Sequence, residues 1–475
     1  MPLTRLWQVR RRGAGTLAAC VTFLHIWQAA ARADDFATRL GAALEHPGLR
    51  GASLGALVVR ADDGHLLFDR AADQPLVPAS NLKILTALAA LASFGPAHRF
   101  TTRVAADALP DADGTVGTLA VRGGGDPALT SEEWWRLAAD LRRQGLRRVR
   151  GALILDDTLF EQQRWNPAWD AVSARAFHAP VGALSANYGS FAVEVQPSRV
   201  GAPARIGLDP PIAFFELIDR TKPGSGALVV EREAAGTRDR VVVSGAPPAG
   251  GEAVTIFRSV SDPARYAAAV FRMQLGAHGI AVDGEDRLAA VPPDFRELLA
   301  FEGKPLGDVV RLLMKYSNNN IAETLLKDMG AAQAGPPGTW ENGLAAVRRQ
   351  LTSLGLSPGG FQTVDGSGLS PSNRVTPRTL VDALRIARTS FAFGPEFESS
   401  LPIAGRDGTL SHRAASAAGA VRAKTGLLAG AAALSGYARR RDGTDVVFSL
   451  LVNDYRRGDP EALAGIDAFA AALVQ

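Results

Sequence analysis

Pro78-Ala79-Ser80-Asn81-Leu82-Lys83 runs directly into Ile84-Leu85-Thr86-Ala87-Leu88-Ala89-Ala90-Leu91. After Lys83 the run has no glycine, proline or charge, so it reads as a helix buried on nearly all sides. Pro78 suits the first turn, where a missing N–H costs nothing. Ser80 then lies at the helix N-terminus, where free N–H groups and the macrodipole favour developing negative charge. Lys83 follows three residues later on the same face. A hydroxyl beside a lysine in a buried place suits covalent catalysis, because desolvation lowers the amine pKa until it can take a proton. The plainer alternative is an N-cap serine followed by a lysine whose stem lies along apolar surface.

The chain has 475 residues, enough for two or three domains and a large core. Its formal charge is +4, but residues 1–33 hold Arg5, Arg10, Arg11, Arg12 and Arg32 and no acidic residue; without those five the charge is −1. That balance carries no signal for nucleic acid or another polyanion. Residues 1–33 read as a signal peptide: an arginine-rich start, an apolar Ala14 to Ala30, and Ala31-Arg32-Ala33 as the cleavage site before Asp34. A membrane anchor competes, but the apolar stretch is short and broken by His25 and Gln28, so no stable span is expected after signal removal. Leu17-Ala18-Ala19-Cys20 permits a lipoprotein reading, against which the apolar segment continues past Cys20. The expected location is periplasmic. Cys20 is the single cysteine, so the mature part has neither disulfides nor thiol chemistry. Arginine outnumbers lysine 46 to 6, and arginine cannot act as a base because it stays protonated. Two of the six lysines, Lys83 and Lys424, fall in chemistry-bearing motifs.

Residues 34–48 look helical, and Ala52 to Val59 with His65 to Asp69 form a hairpin around Asp62-Asp63-Gly64. From Phe100 to about Glu297 short β-rich runs alternate with Pro and Gly clusters, interrupted by one helix, Glu132 to Gln144. After Leu298 helical periodicity returns at 309–315, 321–329, 340–354 and 379–387. Strands Ala431 to Ala438 and Val446 to Asn453 and a helix from Pro460 close the chain. The reading is one α+β domain, residues 34–98 and 299–475, split by a large, mostly β insertion at 99–298.

Two further stretches match the first. Tyr316-Ser317-Asn318-Asn319-Asn320 supplies Ser-x-Asn at a helix start, and Lys424-Thr425-Gly426 precedes the strand Ala431 to Ala438, with Leu427 at its edge. Composition gives about 0.3 chance occurrences of Ser-x-x-Lys, about 0.5 of Ser-x-Asn and about 0.03 of Lys-Thr-Gly in such a chain. Ser185-Ala186-Asn187 also fits the second pattern; Ser317 is preferred because it opens a helix in the returning α+β segment. The three motifs together mark penicillin-binding proteins and class A β-lactamases. With Gly123-Gly124-Gly125-Asp126-Pro127, Ala179 to Ser185, Asp365-Gly366-Ser367-Gly368-Leu369-Ser370 and Leu401 to Leu410, the chain resembles the class C low-molecular-mass penicillin-binding proteins, the D-alanyl-D-alanine carboxypeptidase/endopeptidase family.

The resemblance implies a penicillin-recognising transpeptidase/β-lactamase-like fold, an antiparallel sheet flanked by helices. It implies peptidoglycan stem peptides as substrate, β-lactam antibiotics as acylating ligands, and no cofactor or metal. Ser80 would attack the carbonyl of a terminal D-Ala-D-Ala or of a peptide cross-link, with Lys83 as its base and Ser317 relaying the proton to the leaving amine. Asn319 would hold the substrate amide, Lys424 positive potential, and Thr425 the substrate carboxylate. Backbone N–H groups of Ser80 and Leu427, beside Gly426, would form an oxyanion hole worth about 3 kcal/mol per donor.

The chain departs from the family at Leu427, where a hydroxyl residue usually follows Lys-Thr-Gly. A backbone donor survives any side chain, so the departure touches recognition of a C-terminal carboxylate and favours cross-link cleavage or a different ligand. Asp170 lies near where relatives carry an acidic residue facing the substrate's diamino-acid side chain; a surface-loop carboxylate is the competing reading. The histidines show no paired metal spacing, and Gly123-Gly124-Gly125 lacks the Lys-Ser/Thr of a phosphate cradle. A serine β-lactamase or esterase on the same fold and a non-catalytic wall-binding protein are the alternatives. The long insertion argues against the first and the intact motif residues against the second.

Overall fold

The computed structural model describes residues 35–197, 202–247 and 250–475; the signal-peptide reading and Cys20 fall outside them. Its helices are α1 (residues 35–44), α2 (Lys83–Phe94), α3 (Ser131–Arg143), α4 (Pro263–Ala277), α5 (Leu306–Tyr316), α6 (Asn319–Ala334), α7 (Trp340–Ser353), α8 (Pro377–Thr389), α9 (Gly394–Ser400) and α10 (Asp459–Leu473). The central sheet is antiparallel throughout. Its strands are β1 (Ser53–Arg60), β2 (Leu66–Arg70), β3 (Val421–Leu428), β4 (Ala431–Arg439) and β5 (Asp445–Asn453), in the order β3-β4-β5-β1-β2. β1 pairs with β5 from Ser53 opposite Asn453 to Arg60 opposite Val446, which stitches the start of the described chain to its end.

Successive side chains of a strand face opposite ways. Ala56 and Val58 therefore join Phe36 and Leu40 of α1 and Ile466 and Phe469 of α10 in one core. Leu57 and Val59 join Leu85 and Leu88 of α2, Val309 of α5 and Leu325 of α6 in another. With helices on both faces the strands read as continuous apolar runs rather than alternating ones. α2 is buried without a break from Lys83 to Leu91, as its sequence dictates. Its approach differs from expectation: Ser80 sits in a 3₁₀ turn, Ala79–Leu82, entered through Ala79 at φ 45°.

The 99–298 segment leaves the central fold through strand Arg99–Ala106 and returns through Arg296–Pro305, which pair antiparallel with each other. Its sheet thus runs on to Pro305, carried by Leu299 opposite Val104 and Phe301 opposite Thr102. These two strands and three others make a mixed five-stranded sheet, and three three-stranded sheets accompany it among the described residues. The segment holds a second helix that the strand-and-turn texture hid. Asp262 caps α4 by accepting from Ala264 N and Arg265 N at 3.1 Å each, Pro263 opens it, and Tyr266, Val270 and Phe271 are buried at helical spacing. Phe271 meets Trp134 of α3 with ring centroids 5.1 Å apart, at the heart of a core separate from the two above. No helix among the described residues is long and apolar enough to cross a membrane.

Asp262→Ala should cost about 1 kcal/mol by removing the N-cap of α4. The check is the denaturant midpoint followed through Trp134 fluorescence, and an unchanged midpoint would contradict the capping role.

Candidate active site

The segment that carries Ser80 is held on several sides. Asn453, at the end of β5, clamps the preceding segment by accepting from Val77 N at 2.7 Å and donating to Val77 O at 3.0 Å. Gly426 of β3 backs onto the turn so closely that a Cβ there would lie 2.8 Å from Pro78 O. Gly368, at φ +79°, abuts Ala79 O with no room for a side chain. Asn81 then ties the turn to the strand. With its amide oxygen toward Ser435, it accepts from Ser435 Oγ at 2.7 Å and donates to Lys424 O at 2.8 Å.

Lys83 is fully buried. Its Nζ lies 2.9 Å from Ser80 Oγ, 2.7 Å from Asn319 Oδ1 and 2.7 Å from Ser367 O. Two of these neighbours are fixed carbonyl oxygens that can only accept. They take two N–H bonds and leave the third position of the nitrogen pointing at Ser80, where a neutral amine carries its lone pair. Burial depresses the amine to about 7, against an upward pull from Asp365 and Glu323. Near neutral pH it is therefore divided between the form that accepts a proton and the form that returns it.

Those two carboxylates form the layer behind the site. Glu323, four residues after Asn319 on α6, accepts from Gly366 N at 3.0 Å, Ser367 N at 2.8 Å and Trp340 Nε1 at 2.8 Å. Asp365 accepts from Gly368 N at 2.8 Å, Ser370 N at 2.7 Å, Asn373 Nδ2 at 2.9 Å and Trp169 Nε1 at 3.1 Å. Both are raised by burial, Glu323 to about 7. Together they fold residues 365–370 into the loop that presents Ser367 O to Lys83.

The second pair faces the first. Ser317 occupies the left-handed joint between α5 and α6 at φ 56°, ψ 37°, with Asn318 as the N-cap of α6, so Ser317 ends one helix rather than beginning the next. Lys424 Nζ donates to Ser317 Oγ at 2.9 Å and to Thr425 O at 2.7 Å. Burial drives this amine down too, as does the charge of Lys83. Thr425 Oγ1 lies 2.7 Å from Thr409 Oγ1. Asp407 holds the Thr409 loop by accepting from Lys315 Nζ at 2.7 and 2.9 Å, one residue before Tyr316-Ser317.

Lys-Thr-Gly lies within β3 rather than ahead of a strand, because Val421 to Leu428 pairs residue by residue with β4. β3 is an edge strand, so alternate backbone groups face away from the sheet. Ala423 N donates outward to Pro402 O and Val421 O accepts from Ala404 N. The alternation turns the Leu427 N–H to the same open side. The Leu427 side chain is 47 % exposed. Asp170 stands apart from the Ser80–Lys83 group. It lines an adjoining cleft of about 330 Å³ with Trp169, Phe177 and Leu428, and Phe177 O accepts from Asn319 Nδ2 at 2.9 Å. Asn81, Glu323, Asp365 and Thr409 were not assigned by the motifs. Glu323 alone had a spacing signal, its place one turn after Asn319.

Among the described residues no group of three or more His, Cys, Asp or Glu side chains is placed to hold a metal ion. A serine hydroxyl, a neutralised lysine and a second Ser–Lys pair on the edge of an antiparallel sheet define a serine acyl-transfer hydrolase of the penicillin-recognising fold. Residues 36–473 match the D-Ala-D-Ala carboxypeptidase 3 (S13) family, and the chain belongs to it. It is 37 % identical to the D-alanyl-D-alanine carboxypeptidase of Actinomadura sp. (strain R39) over 94 % of this chain and 85 % of that one. The crystal structure of penicillin binding protein 4 (dacB) from Haemophilus influenzae superposes with a TM-score of 0.77 at 26 % identity, covering 91 % of this chain and 98 % of that one. The Bd3459 predatory endopeptidase from Bdellovibrio bacteriovorus shares the fold at 15 % identity and a TM-score of 0.55, over 89 % of this chain and 92 % of that one. The protein is a serine-type D-alanyl-D-alanine carboxypeptidase-family hydrolase.

Because only neutral Lys83 can take the Ser80 proton, acylation should rise about tenfold per pH unit below 7 and level off above it. Lys83→Arg should lower the rate by about 10²–10⁴ throughout. Stopped-flow acylation across pH 5–9 checks both, and a flat profile would contradict the role of the amine.

Proposed function

We propose that this chain is an exported DD-carboxypeptidase and DD-endopeptidase that opens peptidoglycan stem peptides through a Ser80 acyl-enzyme and is acylated by penicillins. The 2.9 Å approach of Lys83 Nζ to Ser80 Oγ, with its other two positions filled by Asn319 and Ser367, carries the reading. Lys83 takes the Ser80 proton as Oγ bonds to the carbonyl carbon of the penultimate D-alanine. The oxyanion forms between the Ser80 and Leu427 N–H groups. The C–N bond then breaks: Ser317, held by Lys424, gives its hydroxyl proton to the departing amine and takes in its place the proton that Lys83 removed from Ser80, which leaves Lys83 neutral again. Water releases the ester by the same route in reverse.

Binding residues divide along the cleft. Asn319 orients the substrate amide, and the Thr425 and Thr409 hydroxyls receive a terminal carboxylate, toward which Lys424 supplies positive potential. Asp170, in the cleft past Leu428, receives the amine of the donor stem's diamino acid. Leu427 puts an isobutyl group where a further hydroxyl would bind that carboxylate, which tilts the enzyme toward cross-links. Residues 1–33 act as the export signal to the periplasm. Residues 34–98 and 299–475 are the catalytic domain, and 99–298 the insertion.

Intact mass after mixing residues 34–475 with a penicillin should show a long-lived adduct on the wild type and none on Ser80→Ala. A wild type that stays unmodified at high penicillin would overturn the acyl-enzyme. Leu427→Ser should raise D-Ala release from a pentapeptide relative to dimer cleavage by about tenfold, the worth of one good hydrogen bond to a charged group. An unchanged ratio would remove Leu427 from specificity.

A further inference from the structure

A groove of about 620 Å³ opens from Ser317 and Asn319 toward the 99–298 segment, on the far side of Phe177 from the Asp170 cleft. Its size is that of a ligand site, and it lies where two parts of the chain meet, a common place for one. Its walls combine two features. Exposed aromatic rings line it: Tyr316 at 70 %, Phe257 at 58 % and Phe177 at 43 % exposure. Glu132 and Asp209 stand among them, both exposed, and neither has a lysine or arginine partner among the described residues. No lysine, arginine or histidine among the described residues lines the groove.

That lining selects its occupant by chemistry. The peptide stems of a cross-linked wall carry free carboxylates, which a groove holding two unpaired carboxylates and no cation repels. The glycan to which the stems are attached is uncharged along its backbone of β-1,4-linked N-acetylhexosamines. It offers apolar ring faces to aromatic side chains, which are flat and cost little entropy to order. It also offers hydroxyl donors to carboxylates, which accept O–H strongly and need no counter-charge to do so. Resting on the acyl-enzyme reading above, we propose that this groove is a glycan subsite: it holds the N-acetylhexosamine strand attached to the leaving stem, while the Asp170 cleft holds the acyl half. The position agrees with the chemistry, because an amine protonated by Ser317 departs across Ser317, and Ser317 is the rim of the groove. The subsite gives the inserted segment a part in substrate choice, since Glu132, Asp209 and Phe257 all belong to it.

The test compares kcat/KM for a cross-linked muropeptide dimer bearing its disaccharides with that for the same dimer stripped of sugar. The wild type should prefer the sugar-bearing dimer by about tenfold, and a Phe257→Ala/Asp209→Asn double variant should bring the ratio close to one. Chitotetraose should compete with the sugar-bearing dimer in the wild type only. A wild-type ratio of one, or a ratio that the double variant leaves untouched, would overturn the glycan assignment. So would an equal loss on both dimers, which would make the groove a peptide subsite. Penicillin acylation of the same preparations separates the two levels. Acylated protein with a ratio of one overturns the subsite alone, whereas wild type that is never acylated overturns the acyl-enzyme reading and the subsite with it.

Discussion

A lysine amine sealed from water beside a serine is the constraint on which the molecule depends. Lys83 has no carboxylate in direct contact; its partners are one hydroxyl and two carbonyl oxygens. An isolated ammonium in such a place is expensive, so the proton is lost near neutrality and the amine can serve as a base. A partner carboxylate touching Nζ would restore an ordinary lysine. The structure keeps Glu323 and Asp365 one layer back, where they moderate the depression and spend their hydrogen bonds on shaping a loop.

That arrangement is assembled from distant parts of the chain, which explains the rigidity around it. The Ser80 turn is clamped by Asn453 from β5, tied through Asn81 to β3, and pressed by Gly426 and Gly368, whose missing side chains permit the contact. α6 supplies Asn319 and Glu323 from one face. The inserted segment can be long without disturbing this, because its first and last strands lie side by side and return the chain beside its point of departure. It also brings Phe177, whose carbonyl accepts from the Asn319 amide.

Much of this was legible in the residues. The Ser80–Lys83 spacing and the charge-free run behind it point to a serine beside a buried lysine, and the motif set names the fold. Local chemistry was read less well. Lys-Thr-Gly precedes the strand from Ala431 but lies in a strand of its own, where Gly426 lets the Ser80 turn approach. The helix start Asp262-Pro263 is masked by the short apolar runs that flank α4. Asp365 and Thr409 fall in stretches that carry the family resemblance, and Asp365 closes its own turn through Gly368, Ser370 and Asn373; their contacts with Trp169 and Thr425 lie beyond any spacing rule.

The central claim is the neutral amine, and it can be measured directly. With only six lysines in the chain, 13Cε-labelled protein gives few side-chain signals, and Lys83→Met identifies the one of interest. Titration of the Ser80→Ala protein should show that signal moving with a midpoint near 7. A midpoint near 10, the value of a free lysine, would mean that Lys83 stays charged and cannot be the base.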